Sequence, residues 1–320
     1  MKLATTTGDF VRYCTSFCDT ISCVAAAGFR YIDLDLCINN NMEEGLGGDD
    51  WKKGVQKIKD HADRLGVQFV QSHVLGAQNL FGPNVDEKKV RGDIIRCIEV
   101  CGALGIPSMV MHAQRSEEFS FVMEQWMEAN RKVLLDFAPY FEEAGVNILM
   151  ENGPLKHAMA FQPDGKPYDP PKYYCSSVSG AILKDFVSYV DHPMVHACWD
   201  TGHANMNGPQ YDDIMTLGSE LHALHVHDNR GETDEHGLPY FGTLNWDEVM
   251  HALIDSNYQG YFTFESCCSF GCEKILDRNK RQFPADTRLY RPTKELKIEL
   301  EKFLYQVGKH ILTAYNCFEE

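Results

Sequence analysis

No stretch of the 320-residue chain approaches the ~18 consecutive apolar residues that a membrane helix needs. The opening MKLATTTGDF has no long apolar core, so no secretory signal is expected there. Positive charge is scarce. There are 30 Lys+Arg against 46 Asp+Glu, which gives a formal net charge of -16 at pH 7. Affinity for DNA comes largely from Lys and Arg contacts to phosphate, so the charge disfavours a nucleic-acid partner and leaves small polar substrates unaffected. No CxxC pair is followed by a second one, which removes the commonest structural zinc pattern. The 12 cysteines are scattered rather than framed, and we read them as reduced thiols of a cytoplasmic protein. Cys267, Cys268 and Cys272 follow a strand-type run closely; they could ligate a metal, but we read them as loop and core thiols. Low-complexity tracts and a second-domain break are missing too, so residues 1–320 read as one domain. At 44% hydrophobic and 24% charged residues, the composition is that of a globular protein.

What is there is a repeat of short and long elements. Eight short runs read as strands: Leu3–Thr6, Tyr31–Leu36, Gln68–Val74, Ser108–Ala113, Asn147–Glu151, Val195–Trp199, Ala223–His227 and Tyr261–Glu265. Several are apolar without alternation, as strands covered on both faces should be. Longer stretches between them carry helical spacing, for example Val90, Ile94, Ile95, Ile98 and Cys101 within Asp86–Leu104, and Val122, Trp126, Ala129 and Val133 within Ser120–Ala144. Gly28, Gly66, Gly105 and Gly145 each stand just before a strand, where a helix ends in a left-handed residue. Helix, glycine, strand, repeated, implies parallel strands with right-handed crossovers. Eight units predict a (β/α)8 TIM barrel of the α/β class, with a doubly wound open sheet as the alternative. Two long loops, Leu155–Gly180 after the fifth strand and Ser266–Pro292 after the eighth, read as lids or substrate walls, and Thr293–Tyr315 reads as a closing helix.

Residues able to bind metal recur at the ends of these strands: His73, His112, Glu151, Asp200 with His203, His225 with His227, and Glu265. In a barrel all those ends converge on one mouth. Glu151, Asp200, His225 and Glu265 together offer three carboxylates and one imidazole, a set that suits a single divalent ion such as Mn, Mg, Co or Zn. Three carboxylates meeting there would repel one another, and a cation relieves this. We expect His225 and His227 to face apart, so that one of them reaches the pocket. His61, His157, His192, His196, His222 and His251 read as structural or surface residues.

The ordered set of motifs resembles the xylose-isomerase-like barrel superfamily, specifically its sugar (phosphate) isomerase/epimerase group. The matching pieces are Gly28-Phe29-Arg30-Tyr31-Ile32-Asp33, His73, His112, Met150-Glu151-Asn152 and Asp200-Thr201-Gly202-His203. They continue with His225-x-x-Asp228, Phe241-Gly242-x-Leu244-Asn245-Trp246 and Gly260-Tyr261-x-x-x-Glu265. The resemblance implies a metal held by Glu151, Asp200, His225 and Glu265, and it implies that Glu151 and Glu265 serve as acid and base. It implies that His203 contacts substrate, and a homo-oligomer, since members form dimers or tetramers. Many relatives carry Lys where this chain has His227. A compact basic cluster for phosphate is not evident, which favours an unphosphorylated sugar or cyclitol substrate.

The expected chemistry is metal-assisted proton abstraction next to a carbonyl, through an enediolate. His73, His112, His203, His227, Arg230 and His236 are the candidates for holding substrate, with Asp228 beside them. Apurinic-site endonucleases share the barrel and use a three-zinc cluster. Their ligand types are matched by His73, His112, Glu151, Asp200, His203, His225, Asp234, His236 and Glu265. A phosphodiesterase of that kind is the alternative, as is a related metal-dependent lyase or dehydratase; the net charge weighs against DNA.

Overall fold

The computed structural model describes residues 1–36, 43–74, 80–82, 85–155, 166, 169, 172–266 and 292–320. The expectations placed on His157, on Cys267, Cys268 and Cys272, and on most of both long loops lie outside those residues.

Eight strands alternate with helices. The strands are β1 (Lys2–Thr6), β2 (Tyr31–Asp35), β3 (Gln68–His73), β4 (Ser108–Met111), β5 (Asn147–Glu151), β6 (Val195–Asp200), β7 (Leu221–His225) and β8 (Tyr261–Phe264). The helices are α1 (Phe17–Ala27), α2 (Trp51–Leu65), α3 (Glu87–Leu104), α4 (Met123–Ala144), α5 (Gly180–Val190), α6 (Thr201–Asn205), α7 (Tyr211–Leu217), α8 (Trp246–Asp255) and α9 (Lys294–Ala314). The strands follow one another around the sheet in chain order, and β8 returns to pair with β1. Every ladder is parallel, from β1–β2 round to β6–β7 and β1–β8. Closure between β7 and β8 falls to one bridge, Val226 to Phe264. There the Val226 amide donates to the Thr263 carbonyl at 2.8 Å, and Glu265 donates back to Val226 at 3.0 Å. This is a (β/α)8 barrel.

Local sequence explains the units. Successive residues such as Ile148, Leu149 and Met150 are all buried, because one face meets the helices and the other fills the barrel. Ser16, Ser179 and Thr293 cap α1, α5 and α9, each side chain accepting the backbone N–H three residues on. Gly28, Gly66, Gly105 and Gly145 all have positive φ at the helix ends, as their placement predicts. The helix α9 starts one residue inside the expected Thr293 and stops one before Tyr315. It packs closely on the barrel at Gly308, where an added Cβ would lie 2.8 Å from Leu3 and 2.6 Å from Phe264.

Strand boundaries differ from expectation mainly at β7. It spans Leu221–His225, two residues earlier than the predicted Ala223–His227, because beyond His225 the chain leaves the ladder for a loop tied by an antiparallel Asp228–Gly237 bridge. The barrel interior is divided. From β4 to β7 come the apolar Val110, Leu149, Cys198 and Ala223. From β2, β3 and β8 come Asp33, Gln71 and Thr263, which hydrogen-bond to one another in series.

Candidate metal centre and active site

The strand ends deliver their side chains to one point. Glu151, Asp200 and His225 are the last residues of β5, β6 and β7, and Glu265 is one past β8. One ligand atom from each lies within 4.8 Å of all the others. Ligands on opposite sides of a cation with bonds of about 2.0–2.2 Å stand roughly 4–4.5 Å apart, so these donors are spaced for a common ion. The donors are also unfulfilled. Glu151 Oε2 and Asp200 Oδ2 are buried with no hydrogen-bond partner among the described residues. Buried polar atoms are normally satisfied, so the residues present suit a divalent cation on a second count.

The ends of β5 and β6 are held firmly. Asp200 caps α6, accepting the His203 amide through Oδ1 at 2.6 Å. Asn152, directly after Glu151, accepts the Asp200 amide at 2.6 Å and donates to the Asp200 carbonyl at 3.0 Å. That clamp fixes the end of β5 against the end of β6. His225 turns Nδ1 toward Glu151 at 3.2 Å and Glu265 at 3.5 Å, while its Nε2 faces Asp33 at 3.3 Å.

Further donor sets flank the central one. His73 and His112 each bring Nε2 to 3.4 Å from Glu151 Oε2. His203 and His236 bring Nε2 to 3.3 and 3.2 Å from Asp234 Oδ2. Both triads, His73–His112–Glu151 and His203–Asp234–His236, meet the same spacing as the central four. The structure therefore joins nine metal-type residues into one continuous patch.

Electrostatics at the patch are strongly coupled. Burial pushes the Glu151 carboxyl up, but His112 and His225 outweigh it and hold it well below the ordinary carboxylate range. Desolvation brings His112 down to about 4 despite the Glu151 charge. His203 also loses water, yet Asp200, Asp234 and Glu151 carry it up to about 10. His236 rises above its usual value for the same reason, with Asp234 and Glu265 as its partners.

The predicted substrate-side residues divide. His73, His112, His203 and His236 border the central four. His227 joins them, contrary to the expectation that it and His225 face apart. Its Nε2 is 3.1 Å from Asp200 and 3.5 Å from Asp234, and its ring stacks on His236 at 4.1 Å. Residues two apart on an extended chain share a face, and Gly202 leaves the space this ring occupies. Arg230 is not brought in: its side chain is 71% exposed and paired with Glu235. Asp228 is spent on its own loop, accepting the Tyr240 and Leu244 amides. The reading from sequence missed the Asn152 clamp and the placement of Asp33 beside His225. The signal for Asp33 was an acid within the apolar run Tyr31–Leu36.

Among the described residues no helix is long and apolar enough to cross a membrane. The family model described as "Xylose isomerase-like TIM barrel" matches residues 21–285. A protein from Sinorhizobium fredii, called uncharacterized y4fM, is 27% identical over 173 residues, which is 53% of this chain and 50% of that protein. The chain thus spans about half the length of that relative. Fructoselysine 3-epimerase from Shigella flexneri is 33% identical over 78 residues, 22% of this chain and 28% of its own. Among solved structures, D-psicose 3-epimerase with D-tagatose from Clostridium cellulolyticum H10 superposes with TM-score 0.68 at 18% identity, covering 98% of this chain and 99% of that one. The IOLI protein with a bound zinc atom gives TM-score 0.69 at 17% identity, covering 98% and 99%. Those two likenesses speak to fold. The match over most of its length places the chain in the xylose isomerase-like TIM barrel family.

Proposed function

We propose that this protein is a divalent-metal-dependent sugar or cyclitol epimerase or isomerase. The observation that carries the reading is the convergence of Glu151, Asp200, His225 and Glu265 within 4.8 Å, two of them with buried oxygens that accept no hydrogen bond among the described residues. The names of the relatives agree with it, since they include 3-epimerases.

Glu151, Asp200, His225 and Glu265 would hold the ion, which when bound polarises a carbonyl and stabilises the negative charge of an enediolate. The chain's own groups move the protons. Glu151 and Glu265 come from β5 and β8 and share His225 between them. One takes the proton from the carbon next to the carbonyl and the other, starting protonated, delivers a proton of its own, to the opposite face for epimerisation or to the neighbouring carbon for isomerisation. Glu151 is suited to stay ionised, because imidazoles surround it. Glu265 is the more open of the two, with 22% of its side chain exposed, and can reach a substrate entering the mouth. His203 and His236 turn Nε2 to Asp234 and Nδ1 to the Asn152 and Glu265 carbonyls, so they fix the Asp234 carboxylate beside the mouth where a substrate hydroxyl can donate to it.

The test combines elemental analysis with turnover in heavy water on a panel of ketoses, inososes and their phosphates. One ion per chain and deuterium at the exchanged carbon are expected. Turnover without deuterium uptake would overturn proton abstraction. A second reading has its own support in the flanking triads: three ions and hydrolysis of a phosphodiester. Three zinc ions per chain with cleavage of abasic DNA would establish that reading instead.

A further inference from the structure

The barrel interior holds a carboxylate that the proposed chemistry does not use. Asp33 lies on β2, 1% exposed. It receives one hydrogen bond from a side chain, from Gln71 Nε2 at 2.9 Å, and its Oδ1 has no partner among the described residues. Gln71 is held in turn by Thr263, whose hydroxyl donates to Gln71 Oε1 at 3.2 Å. A register shift of β3 against β2 between Ile32 and Asp33 brings Gln71, rather than Val70, beside Asp33. Bulges of this kind re-aim side chains. The rest of that layer is apolar.

A buried carboxylate with one amide donor is expensive to keep, and an amide or an apolar residue would serve packing better. The charge has one evident object. Asp33 Oδ2 is 3.3 Å from His225 Nε2, an ion-pair distance that does not meet hydrogen-bond geometry and leaves this buried nitrogen without another acceptor among the described residues, while His225 Nδ1 faces Glu151 and Glu265. With Nδ1 turned to the donor cluster, Nε2 is the nitrogen left to carry the ring proton. Ligand imidazoles generally donate that second N–H to a carboxylate or carbonyl, which sets the tautomer and ring orientation and makes the ligand nitrogen a better donor.

We propose that Asp33 is the positioning residue of the metal centre, holding His225 in the tautomer that presents Nδ1 to the ion, with Gln71 and Thr263 as its struts. This rests on the four-residue metal site proposed above. It extends the site from the barrel mouth down into the second strand.

The experiment uses the full chain and the metals alone. Zn2+ affinity is measured by competition with a chromophoric chelator, and Co2+ is added separately to read the visible spectrum of the site. Asp33→Asn should weaken Zn2+ binding by about 10–100-fold and shift the Co2+ bands, since partners of ligand residues carry effects of that order. Gln71→Met, which keeps the Asp33 charge but removes its strut, should give a smaller loss in the same direction, and it carries the test if Asp33→Asn does not fold. Affinity and Co2+ spectrum like wild type in a folded Asp33→Asn, or in Gln71→Met where only that variant folds, would overturn the assignment. So would a loss of thermal stability with an unchanged spectrum, which marks a packing role. A wild-type chain that takes up no ion overturns the metal site itself, and a separate set of turnover data is not needed to tell the two failures apart.

Discussion

Replacing Glu151 with glutamine is the sharpest test of the proposed chemistry. The change keeps the volume and removes the charge. Glu151 stands 3.2 Å from His225 and 3.4 Å from each of His73, His112 and His203, with 1% of its side chain exposed. Water cannot replace the lost charge at that depth. A positioned general base contributes about 10²–10⁴-fold. At ~1.36 kcal/mol per factor of ten, that is roughly 2.7–5.4 kcal/mol of barrier. The loss of one of three carboxylate ligands adds to it, so a fall in kcat of at least ~10²-fold is expected. The assay follows interconversion of the ketose that turns over in the panel, together with deuterium entry at the reacting carbon and metal content of the same sample. A Glu151→Gln enzyme that keeps its ion, stays within tenfold of wild-type turnover and still exchanges deuterium would refute the role given to Glu151.

Metal affinity should climb with pH. Burial lowers the His225 pKa, but the Glu265 and Glu151 carboxylates help raise it well above the ordinary value, which favours the protonated ring before an ion enters. Uptake must release that proton, and binding should tighten by up to tenfold per pH unit; calorimetry in buffers of different ionisation enthalpy counts the protons, and affinity flat from about pH 6 to 8 contradicts the linkage. Lys297→Met should destabilise the fold by about 3–5 kcal/mol, because the lysine is 2% exposed, 2.9 Å from Glu301 and 3.6 Å from Asp9, and its removal leaves buried carboxylates uncompensated. Urea unfolding reads it, and an unchanged midpoint would show that the trio is not coupled to stability. Gly202→Ala should cost about 1–3 kcal/mol and displace His227, since the new Cβ would lie 1.9 Å from that ring; a melting temperature equal to wild type would contradict the packing.

The barrel was legible because its units repeat. Apolar strand runs mark each unit, and glycines at the helix ends mark the first four, so an error in one does not propagate. The central four residues were legible because a strand end is where an apolar run meets its first polar side chain, as in Leu149-Met150-Glu151 and Cys198-Trp199-Asp200. Less was visible where two residues compete for one role. Arg230 and His227 are both polar and both follow β7, yet the loop geometry set by the Asp228–Gly237 bridge turns one outward and leaves the other inside. Asn152 is hydrogen-bonded to Asp200 and Asp33 stands beside His225, both partners distant in sequence, and spacing along a single chain does not carry that information. Gln71 reaches Asp33 only through a register shift between neighbouring strands, which no periodicity announces.

Closure of the barrel and assembly of the centre fall at the same place in this chain. The β7–β8 seam is a single bridge at Val226–Phe264, and the residues on either side of it are His225 and Glu265. The backbone bonds of Val226 hold these two within 3.5 Å of each other, with the His236 ring on the Glu265 carbonyl as a second tie. An ion bound by both would therefore bind the closed barrel and not the open one, and any ligand selective for the native state stabilises it by mass action. At an ion concentration of 100 times Kd the gain is about 2.7 kcal/mol. Hydrogen exchange at the Val226 and Glu265 amides should slow accordingly when Zn2+ is added, by up to ~100-fold where opening of the seam is the exchange route. Amides in α3, remote from the seam, serve as the reference. Equal protection of the seam with and without Zn2+, in a chain that demonstrably binds the ion, would separate the two events.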